Sequence, residues 1–250
     1  MNNKTGIAAD DRIIIALDVN SFDKMKSIVD MLGDSVSFYK VGMELFYSAG
    51  SQAVTYLKEK GKHVFLDLKL HDIPNTVEHS IAAVARLGAD LITVHAAGGR
   101  EMMEAAVRGA SEAAKESGRP RPKILAVTVL TSFDDKGWAE TGGQLPILNH
   151  VLRLAKLAHE SGVDGVVASP REAAAIREIC GEPFEIVTPG IRPSFAQSND
   201  QKRIATPSRA LQDGASRLVI GRPVTKAENP QKAEENENER KRSRSITQKN

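Results

Sequence analysis

Short apolar runs recur along the chain at 13–17, 36–41, 63–68, 91–94, 124–130, 165–168, 185–187 and 218–220. Each is apolar nearly throughout rather than alternating with polar residues. That is the pattern of strands covered on both faces of a parallel sheet. Helical periodicity fills the intervals, as in Ile81, Ala82, Val84, Ala85 and Leu87, or Leu152, Leu154, Ala155, Leu157 and Ala158. Eight strand–helix units predict an α/β chain folded as one (β/α)8 TIM barrel, a fold of about 250 residues. An open doubly wound sheet is the rival, because alternation alone does not close a barrel. No GxGxxG follows the first run, so a dinucleotide-binding form of that rival loses ground. Ser21 and Asp23 offer N-cap oxygens after the first strand. Gly33, Gly61, Gly88 and Gly162 stand where helices should stop before the next strand.

The chain has 250 residues, 26% charged and 41% hydrophobic, which excludes disordered, collagen-like and coiled-coil classes. A lone cysteine, Cys180, excludes an intrachain disulfide and a cysteine-rich zinc site. It fits a reducing compartment. No apolar run approaches the ~20 residues of a membrane span, and Met1 to Arg12 lacks an apolar signal core. The expectation is a cytoplasmic protein without a membrane partner. The net charge is +2, and residues 231–250 hold six basic residues and four glutamates, leaving 28 of each sign in 1–230. A neutral body gives no support to a nucleic-acid partner. In 231–250 only Ala233 and Ile246 are hydrophobic, too few to offset the entropy of ordering. The expected organisation is an N-terminal extension over 1–11, a barrel over 12–230, and a charged, disordered tail over 231–250.

Polar residues gather where the predicted strands end: Asp18, Lys40 with Gly42, Asp67-Leu68-Lys69 with Asp72, Thr131-Ser132, Gly190 with Arg192, and Gly221-Arg222. In a barrel these ends face one mouth, where active sites sit. Strand alternation puts Asp67 and Lys69 on the same side, and Lys40 joins them from the neighbouring strand. Asp72 lies in the following loop, free to turn towards them or towards another chain. Two cations and two anions at close range hold one another ionised, each pair at 4 Å interacting by about 4 kcal/mol at an effective dielectric of 20. Such a network aims Lys69 as a general acid. The Gly190/Arg192 and Gly221/Arg222 pairs follow strands seven and eight, where barrels often bind phosphate. Glycine admits backbone N–H groups close to an anion, and arginine adds a bidentate fork.

Other candidates carry less. His95 ends the fourth strand, and a lone histidine there reads more readily as structural. The histidines lack zinc-site spacing. Asp18, Glu44 and Asp67 could hold Mg²⁺ in principle, but Lys40 would repel it. Trp138 and Phe133 read as packing in a lid after strand five. Cys180 reads as an inert helix residue.

These residues resemble those of the orotidine 5′-phosphate decarboxylase family. The similarity runs from about Arg12 to Lys232, and its most specific part is Phe65-Leu66-Asp67-Leu68-Lys69-Leu70-His71-Asp72-Ile73-Pro74-Asn75-Thr76. Ala16-Leu17-Asp18, Tyr39-Lys40-Val41-Gly42, Val129-Leu130-Thr131-Ser132, Thr188-Pro189-Gly190-Ile191-Arg192 and Val219-Ile220-Gly221-Arg222 support it in order. The resemblance implies a homodimeric barrel that uses no metal and no organic cofactor. It implies that Lys69 protonates C6 of the pyrimidine of orotidine 5′-monophosphate, with Asp67 beside the departing carboxylate. By the same similarity Asp72 and Thr76 complete the partner's site. Asp18 and Lys40 hold ribose hydroxyls and Thr131 contacts the base. Arg192, Gly221 and Arg222 grip the phosphate, and Gln201, in a loop over 190–207, links phosphate to base. The tail departs from the family's amphipathic eighth helix, so reduced stability with intact chemistry is expected.

Three rival readings share part of this pattern. A metal-dependent sugar-phosphate decarboxylase or synthase of the same wider group shares D-x-K-x-x-D but typically has a carboxylate where this chain has Lys40. An aldolase-type barrel would use Lys69 in a Schiff base, which the flanking Asp67 and Asp72 disfavour. The third is a non-enzyme that senses nucleotide phosphate or binds nucleic acid through its tail.

Overall fold

A computed structural model of the chain describes residues 10–191 and 205–225. Its strands are β1 (Ile13–Ala16), β2 (Phe38–Gly42), β3 (His63–Leu70), β4 (Leu91–His95), β5 (Lys123–Val127), β6 (Gly165–Val167), β7 (Glu185–Thr188) and β8 (Arg217–Ile220). They pair in sequence order, all parallel, and β8 returns to β1 at Ile13↔Leu218 and Ile15↔Ile220, so the sheet is a closed barrel. Closure disposes of the open-sheet alternative.

The helices are α1 (Phe22–Leu32), α2 (Met43–Ala49), α3 (Gln52–Glu59), α4 (Pro74–Ala85), α5 (Gly99–Ser117), α6 (Asp135–Glu140), α7 (Ile147–Glu160), α8 (Ala173–Cys180), α9 (Pro207–Gln212) and α10 (Arg222–Thr225). The expected punctuation is present except at Asp23, which lies inside the first turn of α1 rather than at its cap. Ser21 Oγ accepts a hydrogen bond from Lys24 N–H at the start of α1. Gly33, Gly61, Gly88 and Gly162 all take positive φ, between 53° and 87°, which costs a residue without a Cβ nothing. The close pairing of α4 and α5 depends on Gly109, where a Cβ would lie 2.2 Å from the Glu78 carbonyl oxygen.

Strand alternation divides the apolar residues between two cores. Ile15, Tyr39, Leu66 and Ile92 point outward and join helix residues such as Leu57, Ile81 and Met103. Ile14, Ala16, Phe38, Phe65, Leu91, Leu125, Val187 and Val219 fill the barrel interior. The interior rows continue upward in steps of two. Two residues beyond Ala16, Phe38, Phe65, Leu91 and Val219 stand Asp18, Lys40, Asp67, Thr93 and Gly221. The polar site is therefore the next layer of the apolar core, built from the same strands.

Two boundaries differ from expectation. β5 ends at Val127 rather than 130: Thr128 N–H still donates to the Val167 carbonyl of β6, and the regular ladder goes no further. β2 begins at Phe38, with Val36 serving as cap of the preceding short helix. Residues 1–9 of the expected extension over 1–11, and the expected tail over 231–250, lie outside the described residues.

Candidate active site

A cavity of about 540 Å³ opens at the C-terminal ends of the strands. Asp18, Lys40, Asp67, Lys69, Thr131 and Arg222 supply its polar wall, and Gly190 and Gly221 line it as well. Apolar walls come from Met43, Phe65, Val127, Val167 and Val219 among others. Most sequence-derived candidates thus face one space. Arg192 and Gln201 lie outside the described residues, as does most of the expected loop over 190–207. Ile191 and Ala205, on either side of 192–204, form a parallel bridge.

Within the cavity the charges alternate in a row. Lys40 Nζ donates to Asp18 Oδ1 at 2.9 Å and lies 3.7 Å from Asp67 Oδ2. Lys69 Nζ donates to the same Asp67 oxygen at 2.8 Å. Lys40 and Asp67 are nearly buried, with side chains 11% and 12% exposed, whereas Asp18 is 57% exposed at the rim. Burial by itself raises the Asp67 carboxyl. The charges of Lys40 and Lys69, with hydrogen bonds from Lys69 and Thr93, outweigh burial and hold it below the usual carboxylate range. Gly42, at the end of β2, makes room for this row: a Cβ there would lie 2.9 Å from Lys40 Nζ and 3.5 Å from Asp18 Oδ1.

Lys69 sits on a distorted stretch of strand. Its φ is +53°, and it is alone among described non-glycine residues in having positive φ. Such a conformation costs of order 1–3 kcal/mol and survives where surrounding contacts enforce it. The enforcing contact is Thr93 on β4, whose Oγ1 accepts from Lys69 N–H at 2.9 Å and donates to Asp67 Oδ1 at 3.0 Å. Sequence reasoning did not single out Thr93, which lies inside an apolar run. The parity that carries Leu91 to Thr93 to His95 along the interior row was the available signal.

Asp72 stands apart from the row in this single chain. Its Oδ1 accepts from Ile73 N–H at 2.7 Å, and among the described residues it forms no salt bridge with Lys69. His71, Asp72, Ile73 and Thr76 are all exposed at the head of α4. Thr131 is buried against the cavity. Glu44 is exposed on α2 and does not line the cavity, while the Lys40 ammonium lies between Asp18 and Asp67. His95 stacks near His71, ring centroids 5.3 Å apart. Burial pushes the His95 imidazole down, reinforced by His71 and Lys69 and opposed by Asp67. Trp138 and Phe133 pack edge to face beyond β5, and Trp138 Nε1 donates to the Leu145 carbonyl. Cys180 is buried in α8, its thiol pushed up by burial.

A second cavity, about 570 Å³, lies at the opposite end of the barrel among the first residues of several strands. Its basic side chains are engaged: Lys58 and His63 with Asp90, Arg121 with Asp164, and Lys123 with Glu185. Bottom-face charges of this kind read as stability. No described helix is long and apolar enough to cross a membrane.

The profile of the Orotidine 5'-phosphate decarboxylase / HUMPS family matches residues 11–236. An orotidine 5′-phosphate decarboxylase of Moorella thermoacetica is 51% identical over 223 residues, covering 89% of this chain and 88% of the relative. That of Pelobacter propionicus is 50% identical over 222 residues, covering 89% and 91%. The crystal structure of orotidine 5′-phosphate decarboxylase from Lactobacillus acidophilus superposes with a TM-score of 0.81 at 43% identity, covering 93% of this chain and 99% of that one. A match of this extent in sequence and in fold means that the chain belongs to the orotidine 5′-phosphate decarboxylase / HUMPS family.

Proposed function

We propose that this chain decarboxylates orotidine 5′-monophosphate to UMP and CO₂, a carboxy-lyase step of pyrimidine biosynthesis in the cytoplasm. The observation that carries the reading is the row Asp18–Lys40–Asp67–Lys69, which runs from the rim of the cavity into its wall. Departure of CO₂ leaves the electron pair of the broken C–C bond on C6. An ammonium held at C6 stabilises that pair more than it stabilises the starting carboxylate, which is the condition for acceleration. Lys69 then gives a proton to C6 and regains one from solvent. Asp67, held ionised between two ammoniums, meets the substrate carboxylate and favours its loss. Lys40 braces Asp67 and, with Asp18, takes the ribose hydroxyls.

Thr131 contacts the pyrimidine. Gly190, with φ of +76°, turns its backbone at the mouth, and Gly221, Arg222 and Arg192 take the 5′-phosphate. Gln201 bridges phosphate and base. Binding energy from the phosphate, remote from C6, is available to align the charged row. In this reading 12–230 is the catalytic barrel, 1–11 an extension and 231–250 a charged tail.

A second copy completes the site. Ile73 is 66% exposed and Tyr47, in the neighbouring β/α unit, 74%. Exposed apolar residues beside Asp72 suit burial against a partner, which would bring Asp72 and Thr76 into that partner's cavity. The metal-dependent branch of the family is less well supported, because the Lys40 ammonium lies between the carboxylates a cation would need. Purified protein mixed with orotidine 5′-monophosphate and EDTA should yield equal amounts of UMP and CO₂. Turnover abolished by EDTA would move the assignment to the metal-dependent branch.

A further inference from the structure

The ladder between β3 and β4 breaks at one point. Leu66 pairs with Ile92, and the next pair is Leu70 with Val94. Asp67, Leu68 and Lys69 therefore face a single residue of β4, Thr93. Extra residues in one strand leave backbone groups without ladder partners and turn the strand. Thr93 is 0% exposed, so water does not reach this gap from the β4 side. Its hydroxyl meets both needs there, accepting from the Lys69 N–H at 2.9 Å and donating to Asp67 Oδ1 at 3.0 Å. A hydroxyl carries one proton and two lone pairs, so it can hold a backbone donor and a carboxylate acceptor at once.

We propose that Thr93 is a positioning residue that sets the geometry of the Asp67–Lys69 pair from both ends. One bond holds the Lys69 backbone in its unfavourable φ of +53°. The other anchors Oδ1 of Asp67, leaving Oδ2 to face Lys69 Nζ at 2.8 Å and Lys40 Nζ at 3.7 Å. Thr93 does not line the cavity, so it acts through Asp67 and Lys69. The role requires a hydroxyl of about this reach. Valine has the same outline and leaves a buried N–H and a buried carboxylate oxygen unpaired; serine keeps the hydroxyl.

This inference rests on the decarboxylase reading, and the experiment separates the two. Wild type, Thr93→Val and Thr93→Ser are compared in kcat and KM for orotidine 5′-monophosphate and in affinity for UMP, which has no carboxylate. A misplacement near 1 Å at a reacting group costs about 100-fold. Thr93→Val should therefore lose about that factor in kcat while UMP affinity stays within about threefold. Thr93→Ser should stay within about threefold of wild type in kcat. Circular dichroism checks folding, and if the valine variant does not fold, Thr93→Ala replaces it in the same comparison. An undiminished kcat in Thr93→Val, a serine variant as slow as the valine one, or a loss confined to KM and UMP affinity would overturn the proposal. Collapse of every variant without the hydroxyl would overturn it too, in favour of a purely structural role. A folded wild type without turnover would remove the decarboxylase reading, and the inference with it.

Discussion

Asp67 Oδ2 receives the ammonium of Lys69 at 2.8 Å and stands 3.7 Å from that of Lys40, so one buried oxygen faces two cations drawn from adjacent strands. Asp67→Asn keeps the shape and deletes the charge between them. Removing one partner of a buried pair costs about 3–5 kcal/mol. The exposed Asp18 still neutralises Lys40 in part, so a loss of about 3 kcal/mol in denaturant unfolding is expected. Turnover should fall below detection in the same preparation.

Gly42→Ala separates activity from stability. Gly42 has φ of −93°, which alanine adopts freely. The added methyl would lie 2.9 Å from Lys40 Nζ, the mobile end of a long side chain. Lys40 should yield, weakening its bond to Asp18, with a melting temperature close to wild type and kcat/KM reduced about tenfold or more.

Gly109→Ala does the reverse. The obstacle to its methyl is the backbone carbonyl of Glu78 at 2.2 Å, so α4 and α5 must move apart. Overpacking of a rigid contact costs about 1–3 kcal/mol or more. The melting temperature should fall, while activity per folded molecule stays near wild type at a temperature where the variant is folded.

Acid lability should trace in part to His95. Its folded pKa lies below the unfolded value of about 6.5, so between the two the unfolded chain binds the extra proton. Its contribution is present above about pH 6.5 and is lost as pH falls towards the folded value. Asp67, also depressed, adds a loss of the same sign below about pH 4. The fall in melting temperature as pH drops below about 6.5 should be shallower in His95→Gln.

Much of this was legible in the sequence. The apolar runs predict the strands, and stepping by two from Phe38 and Phe65 leads to Lys40 and Asp67 in the interior. What was not legible depends on register. Thr93 reads as one more residue of an apolar strand until the break between Leu66 and Leu70 shows it facing three residues of β3. The positive φ of Lys69 follows from that break, because nothing in Leu68-Lys69-Leu70 favours it. The role of Asp72 is equally hidden, since among the described residues its carboxylate is held by the adjacent Ile73 N–H.

The proposed sharing of each site between two subunits can be tested by mixing variants. Lys69→Ala and Asp72→Asn should each be nearly inactive as homodimers. After exchange of subunits, random pairing gives half mixed dimers with one intact site in two. Recovery of about one quarter of wild-type activity is expected. No recovery, with exchange verified, would place Asp72 in its own chain's site.

The most direct measurement is the turnover of orotidine 5′-monophosphate by Lys69→Ala beside wild type, followed by loss of substrate absorbance in EDTA. UMP binding is measured in parallel. The account predicts steady conversion by wild type, a fall in kcat of at least about 10³-fold in the variant, and retained UMP binding. A variant that decarboxylates within about tenfold of wild type would contradict Lys69 as the acid at C6.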